Sequence, residues 1–115
     1  MLSKLEFKND LELKEFVEKI NNFISTREDV YFWYKREDVS IAISLNKADS
    51  LKLDYDCDDY SIYGIDFKFR YNHVSSINSF DIKYLCIEFK ENKSIESFTF
   101  YMKDDVTAYE ITSLE

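Results

Sequence analysis

The sequence predicts an α+β fold in which one N-terminal amphipathic helix packs on an antiparallel, meander-like sheet of about five or six strands. Apolar residues recur at helical spacing between residues 10 and 25, and from Val30 onward they alternate at every second position. The polar stretches between the alternating runs are short and hold no crossover helix, which favours antiparallel neighbours. A chain of 115 residues has room for one core, so we expect a single domain over residues 1–115.

The helix has a clear start signal. Asn9 is a good N-cap, with Glu12 three positions later. Its predicted buried face consists of Leu13, Phe16, Val17, Ile20, Phe23 and Ile24. The alternating run from Lys4 to Lys8 before it is read as a short edge strand or as the lead-in to the helix. The opposite helix face is charged, so the apolar stripe is interpreted as the surface that covers the sheet.

The strands follow in order. A hairpin over residues 30–34 and 39–45 precedes a third strand at 51–57 and a fourth at 60–71. In the fourth, Tyr63, Ile65 and Phe67 share one face, while Gly64 lies on the other. Residues 72–79 are predicted as a loop around His73. A second hairpin covers residues 82–89 and 95–102, and residues 106–114 form a last strand or a frayed tail.

Cellular location is predicted from the termini and the cysteines. The N-terminus has no apolar signal-peptide core, and no apolar run approaches the ~18 residues of a membrane span. We therefore expect a cytoplasmic protein that does not engage a membrane. In a reducing compartment Cys57 and Cys86 are expected to be two buried free thiols.

The net charge of −8 is concentrated in two segments. Residues 49–66 hold six aspartates against the single Lys52, and residues 104–115 hold four carboxylates and no basic residue. Phosphate binding requires Lys and Arg, so direct nucleic-acid binding is disfavoured, whereas a larger basic protein is a suitable partner. The predicted partner-binding residues are Asp49, Asp54, Tyr55, Asp56, Asp58, Asp59, Tyr60, Asp66, Asp104 and Asp105.

Aromatic residues could add to such an interface, because Tyr and Trp are enriched at binding hot spots. The second face of the sheet carries small and charged side chains, so it can remain open to solvent or to a partner. The aromatic candidates for this face are Tyr31, Trp33, Tyr55, Tyr60, Tyr84 and Tyr101. The competing interpretation is that most of them pack in the core.

Catalytic patterns are weak. Asp66 followed by Glu88 and Lys90 formally fits a Mg²⁺-dependent nuclease, but acid-x-Lys pairs occur six times in the chain, as alternating polar faces produce. Asp54, Asp56 and Asp58 occupy the first three ligand positions of a calcium loop, whose glycine and bidentate glutamate are missing. One histidine and two distant cysteines do not make a zinc site. We therefore expect no metal, no cofactor and no catalytic residue.

The functional expectation is a small acidic inhibitor that blocks a basic nucleic-acid-handling enzyme, of the phage or mobile-element anti-defence kind (anti-CRISPR or anti-restriction). Nucleic-acid mimicry would be partial, because same-face carboxylates on a strand recur every ~6.8 Å against ~3.4 Å for phosphates. One alternative is an immunity protein or antitoxin that neutralises a nuclease toxin. The second alternative is the nuclease built on Asp66, Glu88 and Lys90. Oligomeric state stays open.

Overall fold

The computed structural model describes residues 2–6, 9–46, 52–57, 62–69 and 72–113. Its elements, in chain order, are β1 (Leu2–Glu6), α1 (Asp10–Ser25), β2 (Asp29–Arg36), β3 (Val39–Asn46), β4 (Lys52–Cys57), β5 (Ile62–Phe69), β6 (Asn72–Asn78), a 3₁₀ turn (Ser79–Asp81), β7 (Ile82–Phe89), β8 (Ile95–Met102) and β9 (Thr107–Thr112). The predicted α+β class, with one helix on antiparallel strands, is confirmed.

The strands form two antiparallel sheets. The large sheet has six strands in the order β1-β7-β8-β9-β2-β3, and the small sheet has the order β4-β5-β6. Neighbours along the chain pair in the hairpins, but β2 pairs with β9 and β1 with β7. The large sheet is therefore not a simple meander. Strand β1 lies at its edge, which agrees with the prediction of a short edge strand near Lys4.

The helix lies on the large sheet through its predicted apolar face. The side-chain oxygen of Asn9 accepts a hydrogen bond from the Glu12 N–H at 3.0 Å, which confirms the N-cap. Phe16 makes edge-to-face contacts with the rings of Phe98 and Phe100 on β8, and Phe23 makes another with Phe98. Each fully buried ring contributes roughly 1.5–3 kcal/mol through removal of apolar surface from water.

The small sheet covers the same face of the large sheet, next to the helix. Phe67 on β5 is fully buried and touches the rings of Phe32, Phe100 and Tyr109. The side-chain amide of Asn21 exchanges two hydrogen bonds with the backbone of Leu53, which ties α1 to β4. One core thus lies between the large sheet on one side and the helix with the small sheet on the other.

Two details of the small sheet correct the sequence interpretation. Residues 72–78 form strand β6 and not a loop, because they complete the ladder of β5. The register of the β4–β5 ladder shifts between Asp56 and Cys57, which pair with Gly64 and Ile62, and this bulge turns Ile62 into the core. Tyr63 is therefore exposed. Cys86 is buried as expected, whereas Cys57 is exposed, and the two are not joined by a disulfide.

Candidate partner-binding surface

The outer face of the small sheet carries the first acidic residues that the sequence singled out. Asp54 and Asp66 are cross-strand partners, and the next pair on this face is Lys52 with Lys68. The Lys68 ammonium lies 3.0 Å from Asp54 Oδ2. This hydrogen bond lowers the pKa of Asp54 and raises the pKa of Lys68. The predicted row of carboxylates is thus accompanied by lysines, and this face has mixed charge.

Tyr55 connects the small sheet to the helix. Its hydroxyl donates a hydrogen bond to the carbonyl of Lys14 at 3.2 Å, and its ring is packed against the core. Burial, with Glu18 nearby, raises the pKa of this phenol. Of the remaining predicted residues in this region, Asp56 is placed only by its backbone position opposite Gly64. Asp49, Asp58, Asp59 and Tyr60 lie outside the described residues.

The start of β5 is the point at which several distant segments meet. The Asp10 carboxylate, in the first turn of α1, accepts a hydrogen bond from the Ile62 N–H at 2.9 Å. The Ser79 hydroxyl is 2.9 Å from the carbonyls of both Ile62 and Tyr63. These contacts hold the helix N-terminus, the beginning of β5 and the 3₁₀ turn together.

The junction continues into the turn between β8 and β9. The Lys103 N–H donates to the carbonyl of Asp81 at 2.7 Å, and the Lys83 ammonium lies 2.8 Å from Asp105 Oδ1. The β2–β3 turn joins the same region, since the Glu37 N–H donates to the carbonyl of Val106 at 3.0 Å. The start of β5 and the turn that holds Asp104 and Asp105 are thereby connected through the 3₁₀ turn.

We define the acidic end as residues 10–12, 36–38, 62–63, 79–83 and 103–106. Its carboxylates are Asp10, Glu12, Glu37, Asp38, Asp81, Asp104 and Asp105, and its basic residues are Arg36, Lys83 and Lys103. Three large apolar side chains are also exposed here, with relative exposures of 65% for Leu11, 43% for Tyr63 and 65% for Phe80. Aromatic residues are enriched at protein–protein interfaces, which makes this surface a candidate binding site.

Some carboxylates at the acidic end have structural roles. Asp104 accepts hydrogen bonds from the Thr107 hydroxyl and from the N–H groups of Val106 and Thr107, and these bonds lower its pKa. Asp105 has a positive φ of 62°, a conformation that Asp tolerates better than most residues. Asp104 and Asp10 therefore stabilise the backbone, and the carboxylates of Asp81 and Asp105 are better placed to meet a partner.

The residues proposed for a nuclease are not brought together. Asp66 lies on the outer face of the small sheet, because its neighbour Phe67 points into the core. Glu88 lies in the large sheet and faces away from the core, next to Ser97 on β8. Asp66 and Glu88 are therefore on opposite sides of the molecule, with Lys90 following β7. Over the described part of the chain no group of three His, Cys, Asp or Glu side chains could hold a metal ion.

No protein family, curated protein or solved structure matches this chain. Within the described ranges, no helix is long and apolar enough to cross a membrane. The function must accordingly be argued from the surface itself.

Sequence reasoning missed Leu11, Phe80, Asp10 and Asp81 as parts of this surface. Leu11 falls off the apolar stripe of α1, and Phe80 is a lone apolar residue between Ser79 and Asp81. The signal that could have identified Leu11 and Phe80 as surface residues is that neither fits the apolar period of its helix or strand. The aromatic candidates Tyr31, Trp33, Tyr84 and Tyr101 lie elsewhere, on the outer face of the large sheet. The first three are half-buried and only Tyr101 is exposed; Trp33 donates to the Thr112 hydroxyl at 3.1 Å.

Proposed function

We propose that this protein is a small inhibitor that docks by its acidic end onto the basic channel of a larger nucleic-acid-handling enzyme and excludes the substrate. Such proteins are of the anti-defence kind, directed against CRISPR or restriction enzymes. The observation that supports the proposal is the convergence of five chain segments into one surface with seven carboxylates, three basic residues and three exposed apolar side chains.

Charge and apolar area would affect different rates in this interaction. An excess of carboxylates attracts a basic surface from a distance and raises the association rate, mainly at low salt. Affinity depends more on apolar anchors that become buried, and Leu11 and Phe80 have the exposure for that role. We therefore expect the association rate to fall as the salt concentration increases. The dissociation rate should depend mainly on the apolar residues.

The mimicry of nucleic acid would be partial. The acidic end assembles its carboxylates from separate segments, so they form a patch and not a row with the regular spacing of phosphates. On the small sheet, the row that the sequence predicted is interrupted by the Lys68–Asp54 ion pair. The patch is suited to compete for a basic channel without reproducing a duplex.

An immunity protein or antitoxin for a nuclease toxin would use the same docking chemistry. The two functions differ in the identity of the enzyme that is bound. A partner encoded beside this protein would indicate an immunity protein, and an enzyme of a host defence system would indicate the anti-defence inhibitor.

The test compares two variants of equal charge in capture from host lysate, followed by an activity assay of the captured enzyme. The first variant carries Glu37→Gln, Asp38→Asn and Asp81→Asn, all exposed residues of the acidic end, and the control carries Glu15→Gln, Glu91→Gln and Glu96→Gln. Both variants have a net charge of −5, because each removes three carboxylates from −8. Glu91 lies in the β7–β8 turn, at the other end of β8 from the acidic end.

We expect wild type and control to capture and inhibit a nucleic-acid-handling enzyme, and the first variant to associate at least about tenfold more slowly at low salt. Equal association of the two variants would show that the acidic end is not the docking surface. Binding that is insensitive to salt would contradict electrostatic steering altogether.

A further inference from the structure

A small cavity opens beside the acidic end, on the outer face of the large sheet. Its volume is about 200 Å³, and its lining residues include Lys83, Tyr84, Tyr101, Asp105 and Ala108. Tyr101 is the cross-strand partner of both Tyr84 and Ala108, so the small alanine leaves space next to the Tyr101 ring. Drug-sized ligands need roughly 300 Å³ or more, so this cavity suits one long side chain.

The cavity already contains the contacts that a cation needs. The Lys83 ammonium lies 2.8 Å from Asp105 Oδ1 and 5.5 Å from the centre of the Tyr84 ring. A carboxylate together with an aromatic face is the combination that binds ammonium and guanidinium groups. Lys83 remains 39% exposed and Asp105 68% exposed, so this internal ion pair is open to exchange with an external cation.

The geometry of the β8–β9 turn holds Asp105 in place. Asp104 accepts three hydrogen bonds within the turn, and the Asp105 N–H donates to the carbonyl of Met102 at 3.2 Å. Tyr101 is 40% exposed, and the pKa of its hydroxyl is raised mainly by partial burial, with Cys86, Glu110 and Glu88 adding to the effect. The backbone that carries Asp105 is therefore fixed before any partner arrives.

We propose that this cavity receives an arginine side chain of the basic partner, which displaces Lys83 from Asp105. The proposal rests on the docking function proposed above and names the partner group that is recognised. Arginine fits better than lysine, because its planar guanidinium can stack on the tyrosine rings and donate two parallel hydrogen bonds to one carboxylate. Lys83 acts as a placeholder that keeps Asp105 paired until docking.

The placeholder role makes an unusual prediction about affinity. If Lys83 competes with the incoming arginine, removal of its charge by Lys83→Met strengthens binding. Removal of any positive charge also strengthens attraction to a basic partner, so a matched control is needed. Lys103→Met is that control, because it changes the net charge equally, from −8 to −9. Lys103 is an exposed residue of the β8–β9 turn and does not line the cavity.

The experiment has an arm that needs no partner. Nα-acetyl-arginine amide is titrated into the full chain and its variants and followed by NMR, with uncharged Nα-acetyl-norleucine amide as the control ligand. We expect the arginine compound alone to shift the signals of Tyr84, Tyr101 and Ala108. Affinity should rise about fivefold in Lys83→Met relative to Lys103→Met, the size expected for release of one partly exposed carboxylate, and shifts should disappear in Asp105→Asn.

Equal affinities in the two lysine variants, or shifts that persist in Asp105→Asn, would overturn the arginine site. The docking function is tested by different residues, Glu37, Asp38 and Asp81. If capture of the enzyme depends on those residues while the arginine compound does not bind in the cavity, only the proposed arginine site is wrong. If the cavity binds arginine while the charge variants capture equally, the docking surface fails.

Discussion

Gly64 provides a sharp test of the small sheet, because two interpretations predict effects of opposite sign for Gly64→Ala. If residue 64 lay on a solvated strand face next to a loop, alanine would stabilise the protein by about 0.4–1 kcal/mol by restricting the unfolded chain. In the structure, a Cβ at this position would lie 2.5 Å from the carbonyl oxygen of Ile77 on β6. Real Cβ atoms are essentially never found within 3.0 Å of such an atom.

The magnitude follows from that clash. The obstructing atom is backbone, held in the β5–β6 ladder where Gly64 pairs with Asn78, so it cannot turn away as a flexible side chain would. Overpacking of this kind costs about 1–3 kcal/mol. For a domain of this size each kcal/mol corresponds to about 4 °C in the melting temperature.

Urea and thermal unfolding, followed by circular dichroism, measure the effect. Ser76→Ala is the matched control, because Ser76 is an exposed residue of β6 and its truncation should change stability by no more than about 0.5 kcal/mol. A Gly64→Ala protein as stable as wild type, or more stable, would refute the close approach of β5 and β6 and with it the assignment of residues 72–78 to a strand.

Two further predictions concern the β8–β9 turn and the thiols. Because its hydrogen bonds lower the folded pKa of Asp104, the stability that this carboxylate contributes is present above its ordinary pKa of 3.8 and is lost as pH falls through the lower folded value. Asp104→Ala should therefore lower the urea midpoint at neutral pH, with the two curves converging in strong acid; a constant difference would contradict the turn geometry. A thiol reagent should modify Cys57 rapidly and Cys86 only after unfolding; two fast thiols in the native protein would exclude the burial of Cys86.

The candidate surface was only partly predictable. Charge density in the sequence was sufficient to predict Asp104 and Asp105 as surface residues of interest. Their different roles were not predictable: Asp104 accepts hydrogen bonds within its own turn, while Asp105 pairs with Lys83, 22 residues away in the chain. The acidity of Asp54 was evident in the sequence. The ion pair of Asp54 with Lys68 could not be predicted, because the two residues become neighbours only through the pairing of β4 with β5.

The sequence by itself determined the helix and most of the strands of this protein, with residues 72–78 as the exception. Asn9 and Glu12 mark the start of α1, and the apolar stripe from Leu13 onward identifies the face that packs on the sheet. These signals are readable because helix caps and side-chain periodicity depend on residues only a few positions apart.

Only the tertiary structure decided how those elements meet. Alternation assigns a residue to a face of its strand, but it contains no information about which strand lies alongside. The pairing of β2 with β9, the bulge that exposes Tyr63 and the junction that joins Asp10 to Ile62 all depend on contacts between distant residues. The acidic end is the product of those contacts: the start of β5 and the β8–β9 turn lie far apart in the chain, and they share one surface because Ser79 hydrogen-bonds to the first and Asp81 to the second.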